Sequence, residues 1–292
     1  MGLLGHSATH PRYDDATVPA LPLSCPVRGC GLPLAQLARR FTCDRGHSFD
    51  VARSGYLNLL QPFDRRSPEA GDTRASIEAR ARLVQAGVGA VLLDTVVRIV
   101  SPLVRPDRAI VADLGCGTGD ALAAVARARA ITGIGIDLST AAATHAARRF
   151  PHLAWVVANA DRRLPLLDGS VALVLSLHAR RNPGECARVI QPGGHLVVAV
   201  PAPDDLIELR EAVQGQRVER DRADAVIAEH EPWFVRSART AAREHRALDA
   251  TVLRDLLQGT YRGARTRCAP VVDALDRLDV TLASDVLLFS RR

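Results

Sequence analysis

Between an apolar run and an alanine-rich stretch lies Asp113-Leu114-Gly115-Cys116-Gly117-Thr118-Gly119, with a glycine at every second position. No other feature restricts the fold of this chain so much. Glycines at this spacing let a backbone turn sharply out of a strand into a helix and approach a ligand with no Cβ in the way. They place a strand at Ala109–Leu114 and a helix at Asp120–Ala128. Strand and helix signals then alternate, as they do along a parallel sheet covered on both faces. Strands are expected at Thr132–Asp137, Leu153–Val157, Val171–Leu177 and His195–Val200, and helices at Thr140–Phe150 and Gly184–Ile190. Val171–Leu177 is almost wholly apolar, as a central parallel strand is. Pro192-Gly193-Gly194 should turn, and Asp204–Glu231 should be a long polar helix, broken near Gly215. Two closing strands are expected at Val235–Leu248 and Val280–Ser290, with a helix at Ala250–Gln258 between them. Upstream, the pattern from Thr73 to Val104 is helical and interrupted at Gly87 and Gly89.

The same loop defines a ligand site. Asp137 ends the second strand, where its carboxylate can accept both ribose hydroxyls of an adenosine. Dinucleotide sites share that geometry. The compact D-x-G-x-G-x-G form, and Asn159-Ala160-Asp161 after the third strand, favour S-adenosylmethionine (SAM), with Asp161 set to meet the adenine amino group. The candidate cofactor-binding residues are therefore Asp113, Gly115, Gly117, Thr118, Gly119, Asp137, Leu138, Ala160 and Asp161. Ala187-Arg188-Val189-Ile190-Gln191-Pro192-Gly193-Gly194 resembles a segment of the class I methyltransferases. The expected fold class is accordingly α/β, a class I, Rossmann-like SAM-dependent methyltransferase core. Cys116, inside the loop, reads as a small filler.

Ahead of this core, Cys25, Cys30, Cys43 and His47 crowd a short span. A thiolate pair followed by a Cys–His pair suits a closed tetrahedral zinc site, structural because no coordination position is left open. The metal would substitute for the core that forty residues cannot build. No run is long and apolar enough to span a bilayer, and Met1 to Asp15 has no signal-peptide character. A cytoplasmic, reducing location is expected, so the clustered cysteines read as metal ligands and not disulfides. Cys186 and Cys268 read as core residues. The net charge is +6, and all 38 basic residues are arginine. Arginine suits phosphate contact and base stacking. Arg39, Arg40, Arg45, Arg53, Arg65 and Arg66 surround the metal module, interleaved with Phe41, Phe49, Tyr56 and Phe63. For Phe49 and Tyr56 a place in the module's small core is favoured. The chain divides into a loose tail (1–20), the zinc module (21–60), a linker with helices (61–105) and the methyltransferase domain (106–292).

Cys43 to Leu60, read as C-D-R-G-H-S-F-D-V-A-R-S-G-Y-L-N-L-L, resembles a signature of the 23S ribosomal RNA guanine-N1 methyltransferases, a group that includes tylosin- and other macrolide-resistance methylases. Gly71-Asp72-Thr73, Ala79-Arg80, Arg181-Asn182-Pro183 and Pro201-Ala202-Pro203 continue the match. The resemblance implies transfer of the SAM methyl group to guanine N1 of large-subunit ribosomal RNA. It implies zinc on Cys25, Cys30, Cys43 and His47, and RNA recognition by the zinc module. It implies no membrane and leaves a homodimer open. The chain departs from the family pattern at Val27-Arg28-Gly29, Gly87-Val88-Gly89, His178-Ala179-Arg180, Asp205 and Thr260-Tyr261-Arg262-Gly263. Those changes gather where donor meets acceptor, as in a paralogue with a shifted target or an enzyme of weak activity. His178, at the mouth of the fourth core strand, and Asp205, beyond the fifth, are the candidate catalytic residues. Two other functions fit this scaffold. One is methylation of a small molecule or antibiotic precursor; the other is RNA binding without catalysis.

Overall fold

A computed structural model describes residues 20–64, 71–104, 109–215, 221–260 and 270–292. The expectations for the tail before residue 20, for Arg65 and Arg66, and for Tyr261, Arg262, Gly263 and Cys268 lie outside the described residues.

Three short strands, β1 (Ala35–Leu37), β2 (Arg40–Thr42) and β3 (Ser48–Asp50), form a small antiparallel sheet. β4 (Leu57–Asn58) follows, then α1 (Arg74–Gln85) and α2 (Ala90–Val100). The alternating core comprises β5 (Ala109–Leu114), α3 (Asp120–Ala128), β6 (Ile131–Asp137), α4 (Thr140–Arg149), β7 (Ala154–Val157), β8 (Val171–Leu177), α5 (Pro183–Val189) and β9 (Ile190–Pro201). The chain closes with α6 (Ile207–Gln214), α7 (Ala223–His230), β10 (Phe234–Asp249), α8 (Ala250–Thr260) and β11 (Arg277–Arg291). Helix starts carry local signals. Thr73, Ser139 and Asn182 each accept a backbone N–H of the first turn of α1, α4 and α5.

The main sheet runs β10-β11-β9-β8-β5-β6-β7-β4. From β4 to β9 all pairings are parallel; β11 joins β9 antiparallel, and β10 joins β11 antiparallel. β5 is flanked by β6 on one side and β8 on the other, so the strand order reverses there. In open α/β sheets such a reversal opens a crevice at the carboxyl ends of the strands.

The metal module shares its core with this sheet. Leu23, Phe41 and Leu57 pack in one cluster with Ile136, Val156 and Leu166. β4 pairs with β7, Ser24 N–H donates to the Pro165 carbonyl (3.0 Å), and Leu167 N–H donates to that of Pro22 (2.9 Å). Strands of three residues cannot enclose apolar side chains by themselves, so these side chains are buried against the sheet.

Two expectations need correction. Pro192-Gly193-Gly194 is not a separate turn before the fifth core strand. It lies within β9, as a bulge between the pairings Val171–Ile190 and Leu173–His195. The helical stretch expected over Asp204–Glu231 breaks at Gly215 as expected, but its first helix starts only at Ile207 and not at Asp204. Before it, Leu206 takes a left-handed φ of 52° and donates its N–H to the Thr281 carbonyl (2.7 Å). The Asp205 carboxylate accepts the Ala283 N–H (2.9 Å). These bonds to β11 hold the segment in a turn.

Among the described residues, no single helix is long and apolar enough to cross a membrane.

Candidate functional site

The glycine loop leaves β5 at the strand-order reversal. Gly115 has φ +68°, and a Cβ on it would stand 2.4 Å from that of Ala179. The Gly115 and Cys116 N–H groups both point at the Ile136 carbonyl, at 2.7 and 3.2 Å. The Asp137 carboxylate holds the loop from below: one oxygen accepts the Gly117 N–H (2.9 Å), the other the Ser139 N–H (2.8 Å). Each oxygen keeps a second lone pair, so ribose hydroxyls can still be received. Asp113 and Thr118 are buried beside it. Burial, then the neighbouring charge of Asp137, pushes the Asp113 carboxyl up to about 7. Burial also raises Asp137, against the two amides that favour its charge. A buried carboxylate such as Asp113 at this loop is able to receive the cationic part of a ligand. Cys116 is buried and packs in the core.

Beyond β7, Asn159 accepts the Asp161 N–H (2.9 Å) and donates its amide to the Asp64 carbonyl (2.8 Å). Leu138, Ala160 and Asp161 are each half-buried. The Asp161 carboxylate faces Arg180 at 3.3 Å.

His178 caps β8 with a left-handed φ of 52° and donates its N–H to the Ala199 carbonyl (2.9 Å). Its Nε2 lies 2.9 Å from the Ser284 hydroxyl on β11. The residue keeps an exposed surface, while protein atoms crowd the ring on its other sides. Burial there, with the charges of Arg80 and Arg222, pulls the imidazole down to about 4. Asp205 is pushed up to about 6 by burial, partly offset by the Ala283 amide. Its binding to Ala283 places it one residue along β11 from the partner of His178.

The segment between β8 and α5 has a support that sequence reasoning missed. Arg181 donates Nε–H to Nε2 of the buried His230 (3.0 Å) and Nη1–H to the Ala179 carbonyl (3.2 Å). His230 donates in turn to the Val226 carbonyl (2.7 Å) and stacks on Phe289 at 5.2 Å. Arg181 stood out in the sequence only through Arg181-Asn182-Pro183, and nothing marked His230.

In the metal module, Cys25, Cys30, Cys43 and His47 each offer one ligand atom, and all four atoms lie within 4.8 Å of one another. The Cys30 and Cys43 sulfurs are 3.8 Å apart. His47 Nδ1 is 3.3 Å from the Cys25 sulfur and 3.4 Å from that of Cys43. Zinc with Zn–S of about 2.3 Å and Zn–N of about 2.0 Å has tetrahedral edges of about 3.8 Å (S–S) and about 3.5 Å (S–N). The donor set therefore fits zinc. Gly46, with φ +81°, makes the tight turn that carries His47 back, and Arg45 braces the other knuckle through the Gly29 carbonyl (2.7 Å).

Around the module, Arg39 donates to the Ala52 carbonyl (2.8 Å) and Arg40 pairs with Asp50 (3.0 Å). Arg53 is exposed. Phe41 is buried, and Phe49 and Tyr56 pack against the two main core clusters. Phe63 is 53 % exposed, and the Arg28 guanidinium lies 5.5 Å from its ring centre.

Residues 23–67 match a family model described as "RlmA, N-terminal", and residues 111–194 match one described as "Methyltransferase domain". A Streptomyces fradiae protein named 23S rRNA (guanine(748)-N(1))-methyltransferase is 39 % identical over 211 residues, covering 71 % of this chain and 72 % of its own. A Micromonospora griseorubida protein, provisionally named a 23S rRNA (guanine-N(1)-)-methyltransferase, is 37 % identical over 242 residues, covering 77 % and 80 %. Among solved structures, the YcgJ protein of Bacillus subtilis is similar, with 13 % identity and a TM-score of 0.49 over 68 % of this chain and 99 % of that one.

Proposed function

The chain belongs to the 23S rRNA guanine-N1 methyltransferases with an N-terminal zinc-binding module, and on that premise we propose that it methylates N1 of a guanine in 23S rRNA. The observation that carries this reading is the 39 % identity to the Streptomyces fradiae enzyme over most of both chains. The glycine loop, the paired carboxylates below it and the metal quartet supply the parts such an enzyme needs.

When bound, SAM supplies an electrophilic methyl group on a sulfonium. Asp137 and Asp161 would receive the ribose and the adenine, and Asp113 would meet the cationic end of the ligand. Gly115, Gly117, Thr118 and Gly119 bring the backbone against it. Cys25, Cys30, Cys43 and His47 would hold a structural zinc, which would keep the Arg28–Phe63 face in shape for RNA.

N1 of guanine carries a proton, which becomes strongly acidic once the methyl group begins to bond there. A weak neutral base then suffices. His178, held near 4 by its surroundings, is neutral at pH 7. With Nε2–H donated to Ser284, its Nδ1 lone pair takes that proton. Asp205 orders the same rim through Ala283. The guanine enters unstacked, with its Watson–Crick edge turned to the pocket.

The experiment is methyl transfer from labelled SAM to unmodified large-subunit RNA, small-subunit RNA and intact subunits, with the label mapped by nuclease digestion. Label at N1 of one large-subunit guanine is the expected result. Measurable SAM binding with no label on any RNA would overturn the proposed acceptor.

A further inference from the structure

We propose, building on the methyltransferase reading, that Arg80 binds the α-carboxylate of SAM across the glycine loop, with Asp72 orienting its guanidinium. Arg80 belongs to α1, which precedes the alternating core, so nothing in the glycine-loop pattern points to it. Its Nη1 nevertheless lies 3.6 Å from where a Cβ on Gly117 would stand. Nη1 donates to the Asp72 carboxylate (2.6 Å) and Nε to the Gly259 carbonyl (2.8 Å). A side chain at Gly259 would press the Arg80 Cγ at 3.0 Å, so the approach of α8 is close and direct. The Asp72 carbonyl accepts the Ser139 hydroxyl (2.6 Å), and the Ser139 amide binds Asp137. Arg80 is thus tied by three hydrogen bonds, through Asp72 and Ser139, to the residue that holds the loop.

The chemistry matches one end of one ligand. The amino-acid end of SAM carries an ammonium and a carboxylate. Asp113 is a buried carboxylate at the loop, suited to the cationic part. Arg80 is a cation beside Gly117 of the loop, with its side chain 34 % exposed. Its two bonds use two of five N–H donors, and a guanidinium fork matches a carboxylate. The charge of Arg80 acts on both Asp137 and His178, so it lies near each of them.

The alternative is that Arg80 only ties α1 to α8. Calorimetric binding of SAM and of decarboxylated SAM separates the two, using the full chain as wild type, Arg80→Gln and Arg80→Lys. Wild type should bind SAM about 10- to 100-fold more tightly than decarboxylated SAM, the range of a charge-assisted bond. Arg80→Gln should bind decarboxylated SAM like wild type and lose the preference for SAM, and Arg80→Lys should regain part of it. Equal binding of both ligands by wild type would overturn the assignment, whether or not any variant folds. So would an Arg80→Gln protein weakened equally toward both. Wild type that bound neither would overturn the methyltransferase reading and the assignment together.

Discussion

Gly115 lies directly against Ala179, so closely that a methyl group on the glycine would stand 2.4 Å from the Ala179 Cβ. The donor loop and the segment that carries His178 are therefore in contact. Gly115→Ala should cost about 1–3 kcal/mol of stability, because the added carbon overpacks this contact. Its φ of +68° strains an L-residue further. SAM affinity should fall at least ~10-fold by the same reasoning. Ala179→Gly in the same chain should restore part of both. Thermal melts and calorimetry on the two variants check this; Gly115→Ala binding SAM as wild type does would refute the close contact.

SAM affinity should depend on pH through Asp113. Its carboxyl is raised to about 7 in the free protein, by burial and then by Asp137. A cationic ligand favours the ionised form, so binding lowers that pKa and releases a proton. Affinity should therefore be greatest above pH 7 and decline as pH falls below it. Calorimetry in two buffers of different ionisation heat would count the proton, and Asp113→Asn should abolish the release. A proton count of zero in the wild type at pH 6.5 would contradict it.

His178→Gln should lower kcat about 100-fold, the usual contribution of one proton acceptor. SAM affinity should stay within about threefold, because the ring faces the acceptor side. Since the imidazole is pulled down to about 4, it stays neutral from pH 8 down to well below 6. It should therefore add no acid limb near 6.5 to the rate profile. A limb at that pH in wild type that vanished in His178→Gln would show the ring to be ordinary and solvated.

Removal of zinc should destabilise the sheet as well as the module. Leu23, Phe41 and Leu57 share a core with Ile136 and Val156, and Cys25 and Cys43 lie in that same cluster. Cys43→Ser or strong chelation should lower Tm by roughly 5–15 °C, a few kcal/mol in a chain of this size. One cooperative transition should remain. Two separated transitions, the later at the wild-type Tm, would mean that the module folds apart from the core.

Much of this was legible in the residues. Ala109–Leu114, Asp120–Ala128 and Val171–Leu177 have the boundaries their patterns announce, because each is a local matter of apolar runs and glycine punctuation. Cys25, Cys30, Cys43 and His47 converge as their spacing suggests. What was not legible depends on distant partners. The turn at Leu206 exists because Thr281 and Ala283 receive that segment. The bulge at Pro192–Gly194 is set by pairing with Val171 and Leu173. Arg80 is marked in the sequence only through the Ala79-Arg80 match, and its setting emerges once Gly259, 179 residues away, is brought to it. His230 looks like the end of a polar helix, yet it is sealed against Phe289 and carries Arg181.

The continuity between β4 and β7 bears on how such an enzyme can change in evolution. A recognition module on a flexible tether can be exchanged between relatives like a cartridge. Here the last strand of the N-terminal piece is the outermost strand of the catalytic sheet, and Leu23 faces Leu166 across the join. A chimera that grafted a relative's first sixty residues would replace an edge strand of the main sheet along with the metal module. New targets on this scaffold are therefore more accessible through changes at exposed rims such as Phe63, His178 and Arg180 than through recombination of whole modules.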